Sequence, residues 1–285
     1  MYIFLMPEFI VDALLDTLKL LPYLLAAFVI IELLEHKLSS KSEEVLINNR
    51  RYGVIAGSLL GALPQCGFGA MAANLFASHI ITRGTLVAIF LSTSDEMLPV
   101  MLSEKADTGR LLGIIVFKVV IAVIIGYLTD LVLKDRHEFH KEDIHDMCED
   151  EHCHCEEDGV VMAAIKHTLK TALFILLVNL VLNALMETVG EAQVQNMMNS
   201  RSILTYILSS MVGLIPNCAS SVIITRLYLT GMITLGKLMA GLLTGSGIGI
   251  LLLFRTNKNL KENLQILAII LLTGVAVGFL TDMFI

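Results

Sequence analysis

The sequence predicts an all-α integral membrane protein of two inverted-topology repeats, each with three long helices and a broken helical hairpin, about ten helices in all. Three observations carry that prediction. The chain is 55% hydrophobic and only 16% charged over 285 residues, whereas a soluble domain has roughly a quarter of its residues charged. Stretches such as 111–133 and 265–285 are almost uncharged, and their length of about 20 residues is what crosses a hydrocarbon core about 30 Å thick. The chain also contains itself: shifted by 152 residues, it aligns on itself without a gap over long stretches.

Particular residues carry the repeat. Gly61, Pro64 and Cys66 fall on Gly213, Pro216 and Cys218, and Thr82 and Gly84 fall on Thr234 and Gly236. Leu91 and Ser94 fall on Leu243 and Ser246, and Leu33 and Glu35 on Leu185 and Glu187. GYLTDLVL at 126–133 falls on GFLTDMFI at 278–285. Chance does not hold one offset over so long a stretch, so the unit is duplicated. The organisation expected is a first membrane repeat at 1–133, a His/Cys/acid-rich linker at 134–159 and a second membrane repeat at 160–285. The start MYIFLMPEF lacks a basic n-region and a small-residue cleavage site, so no cleaved signal peptide is expected.

Each half reads in the same order. A long apolar helix comes first, at 9–35 or 160–187, followed by a polar loop. An interrupted apolar segment comes next, at 52–81 or 203–233. A helix at 86–102 or 237–254 and a closing helix at 111–133 or 264–284 complete the unit. The arms of the interrupted segment have about 13 residues, or about 20 Å of helix, too short to cross alone. The segment is therefore either one broken crossing or a hairpin that dips in and returns. The first gives four crossings per half and parallel halves. The second gives three, or five with the arms counted, and inverts the second half.

Positive charge favours the hairpin. Loop 35–52 carries Lys37, Lys41, Arg50 and Arg51, while its repeat mate carries only Arg201. At the other mated loop the bias reverses, with Arg255, Lys258 and Lys261 against Lys105 and Arg110. Short cytoplasmic loops favour Lys and Arg, so opposite biases at mated loops fit inversion. The expectation is a multi-pass protein of the cell membrane with both termini outside and the linker inside.

The interruptions themselves, GALPQCGFGA at 61–70 and GLIPNCASSV at 213–222, are poor membrane helix. Proline removes a backbone donor and breaks the helix behind it, and glycine permits tight turning. Irregular backbone at membrane depth is tolerated only where protein or a water-filled cavity covers it. Transporters place substrates at such paired breaks, near the midplane between repeats. Gln65, Cys66, Asn217 and Cys218 are therefore candidate substrate ligands, with amide oxygens for hard cations and thiolates for soft ones. The plainer reading is a pair of kinks packed by small residues, with inert buried cysteines.

STSDEMLP at 92–99 puts Asp95 and Glu96 midway along an apolar helix. An ionisable residue there costs roughly 3 kcal/mol or more and faces the interior or a cavity. Asp95 and Glu96 are the leading candidates for cation ligands or proton carriers. Thr93, Ser94, Ser220, Thr244 and Ser246 add hydroxyl oxygens. Pro99 also allows that this helix is two pieces with the acids at an interface. The mates of the acids are Gly247 and Ile248, so the repeat is broken here. Arg226, the mate of Asn74, reads as a buried cation paired with Asp95 or Glu96, or as an anion ligand. Asp130 and Asp282 end equivalent helices and read as structural, and Glu32 and Glu35 as a solvated helix end.

The linker HEFHKEDIHDMCEDEHCHCEED holds His137, His140, His145, His152 and His154 with Cys148, Cys153 and Cys155, all within 22 residues. These ligands suit zinc, nickel, copper or cobalt, and the close HCHC packing suits a flexible chelator better than a fixed zinc site. The plainer reading is a solvated charged linker. The net charge of −7 comes mostly from this segment. No basic patch for nucleic acid is present. GSGIG lacks the lysine of a phosphate loop and the strand–helix setting of a dinucleotide fold. Nothing points to an enzyme or to a permanently bound cofactor. The partners expected are the lipid bilayer and metal ions, and a homo-oligomer stays open.

Taken together, GALPQCGFGA, LSTSDEMLP, GLIPNCASS and the His/Cys/acid-rich linker resemble a ten-helix heavy-metal exporter family. Its members go under the names arsenic efflux protein and manganese transporter. The resemblance covers essentially the whole chain and implies a membrane exporter of a metal or metalloid. The reading that joins it to the residues is a secondary transporter exporting a divalent or heavy-metal cation in exchange for protons. Two alternatives stay open: an exporter of an anion or oxyanion such as an arsenic species, and a membrane metal sensor that transports nothing.

Overall fold

The computed structural model of the chain describes residues 50–62, 67–93, 97–133, 203–216 and 218–284, with helical residues also between 14 and 29 and between 162 and 180. Every element among them is a helix. In the first half these are α1 (Arg50–Gly61), α2 (Gly67–Ala77), α3 (Arg83–Ser92), α4 (Met97–Ser103) and α5 (Thr108–Leu133). In the second half α6 (Leu204–Leu214), α7 (Cys218–Leu229), α8 (Leu235–Thr244), α9 (Ile248–Thr256) and α10 (Leu260–Phe284) stand in the same order. The first long helices, at 9–35 and 160–187, lie largely outside the described residues, as do both boundaries of the linker. Where they are described, Leu21, Pro22 and Leu25 line one apolar cavity with Ile165, Thr168 and Leu169.

Four stretches among the described residues are long and apolar enough to cross a membrane: 83–103, 108–133, 235–256 and 260–284. They divide into two kinds. The stretches 83–103 and 235–256 are 73% and 83% buried, whereas α5 and α10 are 28% and 33% buried. The outer pair present Leu112, Val116, Val120 and Leu131 on α5, and Leu264, Leu272 and Phe279 on α10, to the surroundings. So large an apolar surface suits lipid.

The central pair correct the sequence reading. Residues 86–102 and 237–254 were each expected as one helix, and each is two. α3 stops at Thr93, whose ψ of 126° leaves the helical region, and α4 starts at Met97. α8 stops at Gly245, and α9 starts after Gly247, at φ 54° and ψ −142°. That backbone is essentially restricted to glycine. Pro99 falls in the first turn of α4, where its missing N–H leaves no bond unmade. The broken stretches are the buried ones, as irregular backbone in a membrane must be.

Close glycine contacts fix the directions of the helices. A Cβ on Gly53 would lie 2.9 Å from Thr85 Oγ1, and one on Gly61 would lie 2.7 Å from the Ile89 carbonyl. α1 and α3 thus run side by side in the same direction. Since α2 joins the end of α1 to the start of α3, it runs back. In the second half Ser209 Oγ donates to the Lys237 carbonyl at 2.6 Å, and Thr244 Oγ1 to the Ser210 carbonyl at 2.8 Å, so α6 and α8 are parallel in the same way.

The unbroken helices run against the broken ones. A Cβ on Gly126 would lie 2.8 Å from the Gly84 carbonyl and 3.0 Å from Ala88 Cβ, and one on Gly278 2.6 Å from the Gly236 carbonyl and 2.7 Å from Ala240 Cβ. Such small-residue seams let helix backbones approach in a membrane. Each seam ends on a carboxylate at a helix N-terminus, where the helix dipole favours negative charge. Gly84 N–H donates to Asp130 Oδ1 at 2.7 Å, and Gly236 N–H donates to Asp282 Oδ1 at 2.7 Å. Thr82 Oγ1 and Thr234 Oγ1 donate to the second oxygen of the same carboxylates.

The halves meet at an ion pair and at two helix contacts. The Arg83 guanidinium pairs with Glu262 at 2.6 Å, which sets the first turns of α3 and α10 together. Asn257 Nδ2 donates to Asn263 Oδ1, and Asn263 Nδ2 to the Asn257 carbonyl, both at 2.9 Å, which holds that corner. α2 packs on α9, and α7 packs on α4.

Candidate functional site

The helix ends that flank the first loop and the two helix breaks, one in each half, converge. α1 ends at Gly61, directly before the PQCG loop, and Gly61 lies on the last turn of α3 beside Ser92 and Ile89. α2 begins on the far side of that loop. A Cβ on its Gly69 would lie 3.2 Å from the Ser246 carbonyl, and one on Gly249 would lie 2.7 Å from the Gly69 carbonyl carbon. The Phe90 ring of α3 packs against the same glycine crossing, 2.8 Å from a Cβ on Gly249. The flanks of the PQCG loop thus touch both helix breaks, one in each half. The second loop is anchored likewise: Gly213, at the end of α6, lies on the last turn of α8 beside Gly241 and Thr244.

The breaks are polar inside. Thr93 is 3% exposed, and its Oγ1 donates to the Ile89 carbonyl at 2.7 Å. Ser246 is 2% exposed, and its Oγ has no hydrogen-bond partner among the described residues. Ser220 is 2% exposed on the first turn of α7 and donates to the Ile215 carbonyl at 3.3 Å. Thr244 Oγ1 bridges α8 to the Ser210 carbonyl of α6.

Two residues of this region escaped the sequence reading. Lys118, in the middle of α5, is fully buried. Its Nζ donates to the Thr93 carbonyl at the α3 break and, at 3.0 Å, to the Leu242 carbonyl of α8. The signal was present: a lone lysine halfway along an otherwise apolar crossing. Asn74, on α2, is 1% exposed, and neither its Oδ1 nor its Nδ2 has a partner among the described residues. Its signal was the polar match with Arg226 at the repeat offset.

Of the residues picked from sequence, Thr93, Ser220 and Ser246 are buried at or beside the loops and breaks. Gln65, Cys66, Ser94, Asp95, Glu96 and Asn217 lie outside the described residues, and so do His137, His140, His145, Cys148, His152, Cys153, His154 and Cys155 of the linker. Cys218 begins α7, with its side chain outside the description. Arg226 corrects the reading of a buried cation: it is exposed in the last turn of α7. A long basic side chain there keeps its head in a polar environment beside the negative end of the helix. Among the described residues no group of three or more His, Cys, Asp and Glu is placed to hold a metal.

Chemically, the C-terminal ends of α3 and α8 bring partial negative charge to the breaks, and the N-terminal ends of α4 and α9 bring partial positive charge. Freed carbonyls at such ends coordinate cations in transporters. The family whose description reads "Putative, 10TM heavy-metal exporter" matches the chain over residues 6–192 and 179–285. No curated protein matches the chain. No solved structure matches it either.

Proposed function

As the chain belongs to this heavy-metal exporter family, we propose that it is a secondary transporter that exports a divalent or heavy-metal cation in exchange for protons. The observation that carries the reading is the meeting of both helix breaks at the two flanks of the PQCG loop. Cargo would bind there. Thr93, Ser94, Asp95 and Glu96 would supply oxygen ligands from the first break and Ser246 from the second. Gln65, Cys66, Asn217, Cys218 and Ser220 would complete the site from the loops. Asp95 and Glu96 would also carry the coupling protons. The His and Cys residues of 137–158 would collect metal on the cytoplasmic side.

We read the two halves as inverted repeats. The ends of α5 and the starts of α1, α3 and α10 share one end of the molecule. α8 starts at the other, beside Asp282, and so opposes α3. Arg50, Arg51, Arg83, Lys258 and Lys261 gather at the first of these ends, where the linker leaves α5. That distribution supports a cytoplasmic linker by the positive-inside rule.

Flux in proteoliposomes across a panel of divalent metals and arsenite, with and without a pH gradient, tests the reading. Export of a metal cation driven by the gradient, lost in Asp95→Asn plus Glu96→Gln, is the expected result. Unchanged metal flux in that double variant refutes the role of the acids. Flux of arsenite alone turns the reading to an oxyanion.

A further inference from the structure

Lys118 is the one buried lysine among the described residues that joins both breaks, and a backbone carbonyl from each accepts from its ammonium. Thr93 caps α3 with a non-helical backbone, so its carbonyl has left the helical ladder. In a continuing helix the Leu242 carbonyl would accept from Ser246 N–H; that N–H donates instead to the Thr244 carbonyl at 2.8 Å. The α8 break has freed the Leu242 carbonyl, and Lys118 Nζ takes it at 3.0 Å. The two carbonyls come from opposite halves, each at the C-terminal end of a broken helix, where the backbone is partially negative. A carbonyl-lined position of this kind is a cation site.

We propose that this position is a cation-binding site filled by the protein's own lysine. Lys118 is a tethered ammonium that competes with the cargo cation for the Thr93 and Leu242 carbonyls. The inference rests on the transport reading in one respect, the identity of the cargo; the cation site stands on its own geometry. The resting transporter then keeps its break closed by an internal cation, and cargo enters as the side chain withdraws. At the repeat mate of Lys118 stands Ile270, fully buried, so a single tether serves both breaks.

The competition has a sign that a structural role would not give. If Lys118 holds the site in nine molecules of ten, removing it strengthens cation binding about tenfold, because apparent affinity scales with the competent fraction. Three variants of the full-length protein test this in detergent. Lys118→Ala opens the position, Lys118→Gln keeps N–H donors without charge, and Lys118→Arg keeps the charge. Cadmium and manganese binding is measured by calorimetry, and unfolding temperature is measured with and without methylammonium.

The expected result is tighter metal binding by Lys118→Ala and Lys118→Gln, and unchanged or weaker binding by Lys118→Arg. Methylammonium should raise the unfolding temperature of Lys118→Ala, leave the wild type unmoved, and compete with metal in Lys118→Ala alone. If Lys118→Ala fails to fold, metal binding by Lys118→Gln decides: tighter than wild type supports the tether, and equal or weaker overturns it. An unfolding temperature of Lys118→Ala that ignores methylammonium overturns the cation site. Methylammonium stabilisation without metal binding by any form keeps the site and refutes the metal cargo instead.

Discussion

The two halves share a scaffold and differ at the centre. Asp130 and Asp282 cap α3 and α8 through bonds to glycine N–H of 2.7 Å in each half. A Cβ on Gly84 would lie 2.5 Å from Asp130 Cγ, and one on Gly236 would lie 2.5 Å from Asp282 Cγ. At the breaks the matched positions diverge. Thr93 is matched by Gly245, Asp95 by Gly247, Lys118 by Ile270 and Asn74 by Arg226. The first half carries charged and polar residues at these positions where the second carries glycine or an apolar side chain, apart from Arg226. Both helix seams are built from the same close contacts.

The scaffold side of this comparison breaks most easily. Gly84→Leu or Gly236→Leu would drive four carbons into an aspartate and a facing helix backbone. Neither variant should yield folded, monodisperse protein in size-exclusion chromatography. A tolerated leucine in one half alone would show that the seams are not equivalent. Next in size are the carboxylates. A bond to a charged group is worth about 1.5–3 kcal/mol, so Asp130→Ala and Asp282→Ala should each lower the unfolding temperature strongly in a thermal melt.

Gly247→Ala tests the divergent side. Its backbone, at φ 54° and ψ −142°, excludes a Cβ at a cost of about 1–3 kcal/mol. The substitution should reduce transport more than stability, because the strain falls on the break rather than on a seam. Equal loss of both would make the α8 break a structural kink. Replacing the eight His and Cys residues of the linker by Ser and Asn should leave flux intact at high metal and reduce it only at low metal, as a collector would.

The helical membrane class was legible because apolar length and charge depletion are properties of composition. The offset of 152 residues marked the order of helices that the two halves share, and Pro and Gly marked the interruptions at 61–70 and 213–222. The second pair of breaks was harder. Residues 86–92 and 97–102 are apolar on both sides of the acids, and hydropathy runs straight across them; only Asp95, Glu96 and Pro99 marked a stop. Lys118 was hidden for a different reason. One charge does not alter the mean of a 26-residue apolar helix, and its carbonyl partners lie 25 and 124 residues away in the chain. Arg226 misled because its residue type suggests pairing, while exposure depends on where the helix ends.

The smallest expected effect sharpens the scaffold comparison itself. Tyr206 of α6 donates to Asp282 Oδ2 at 2.7 Å and meets Phe279 edge-on, with ring centroids 5.9 Å apart. The matched position in the first half is Val54, fully buried and without a hydroxyl. Asp282 therefore has a donor that the repeat does not supply to Asp130. Tyr206→Phe keeps the ring contact and removes one bond, worth about 1.5–3 kcal/mol to a charged acceptor before water replaces it and less once water reaches the partly exposed carboxylate. The unfolding temperature should fall slightly. Asp282→Ala made in the Tyr206→Phe background should then cost less than in the wild type, as a double-mutant cycle requires of a direct pair. An additive cycle would mean that the hydroxyl stabilises α6 by some route other than the carboxylate.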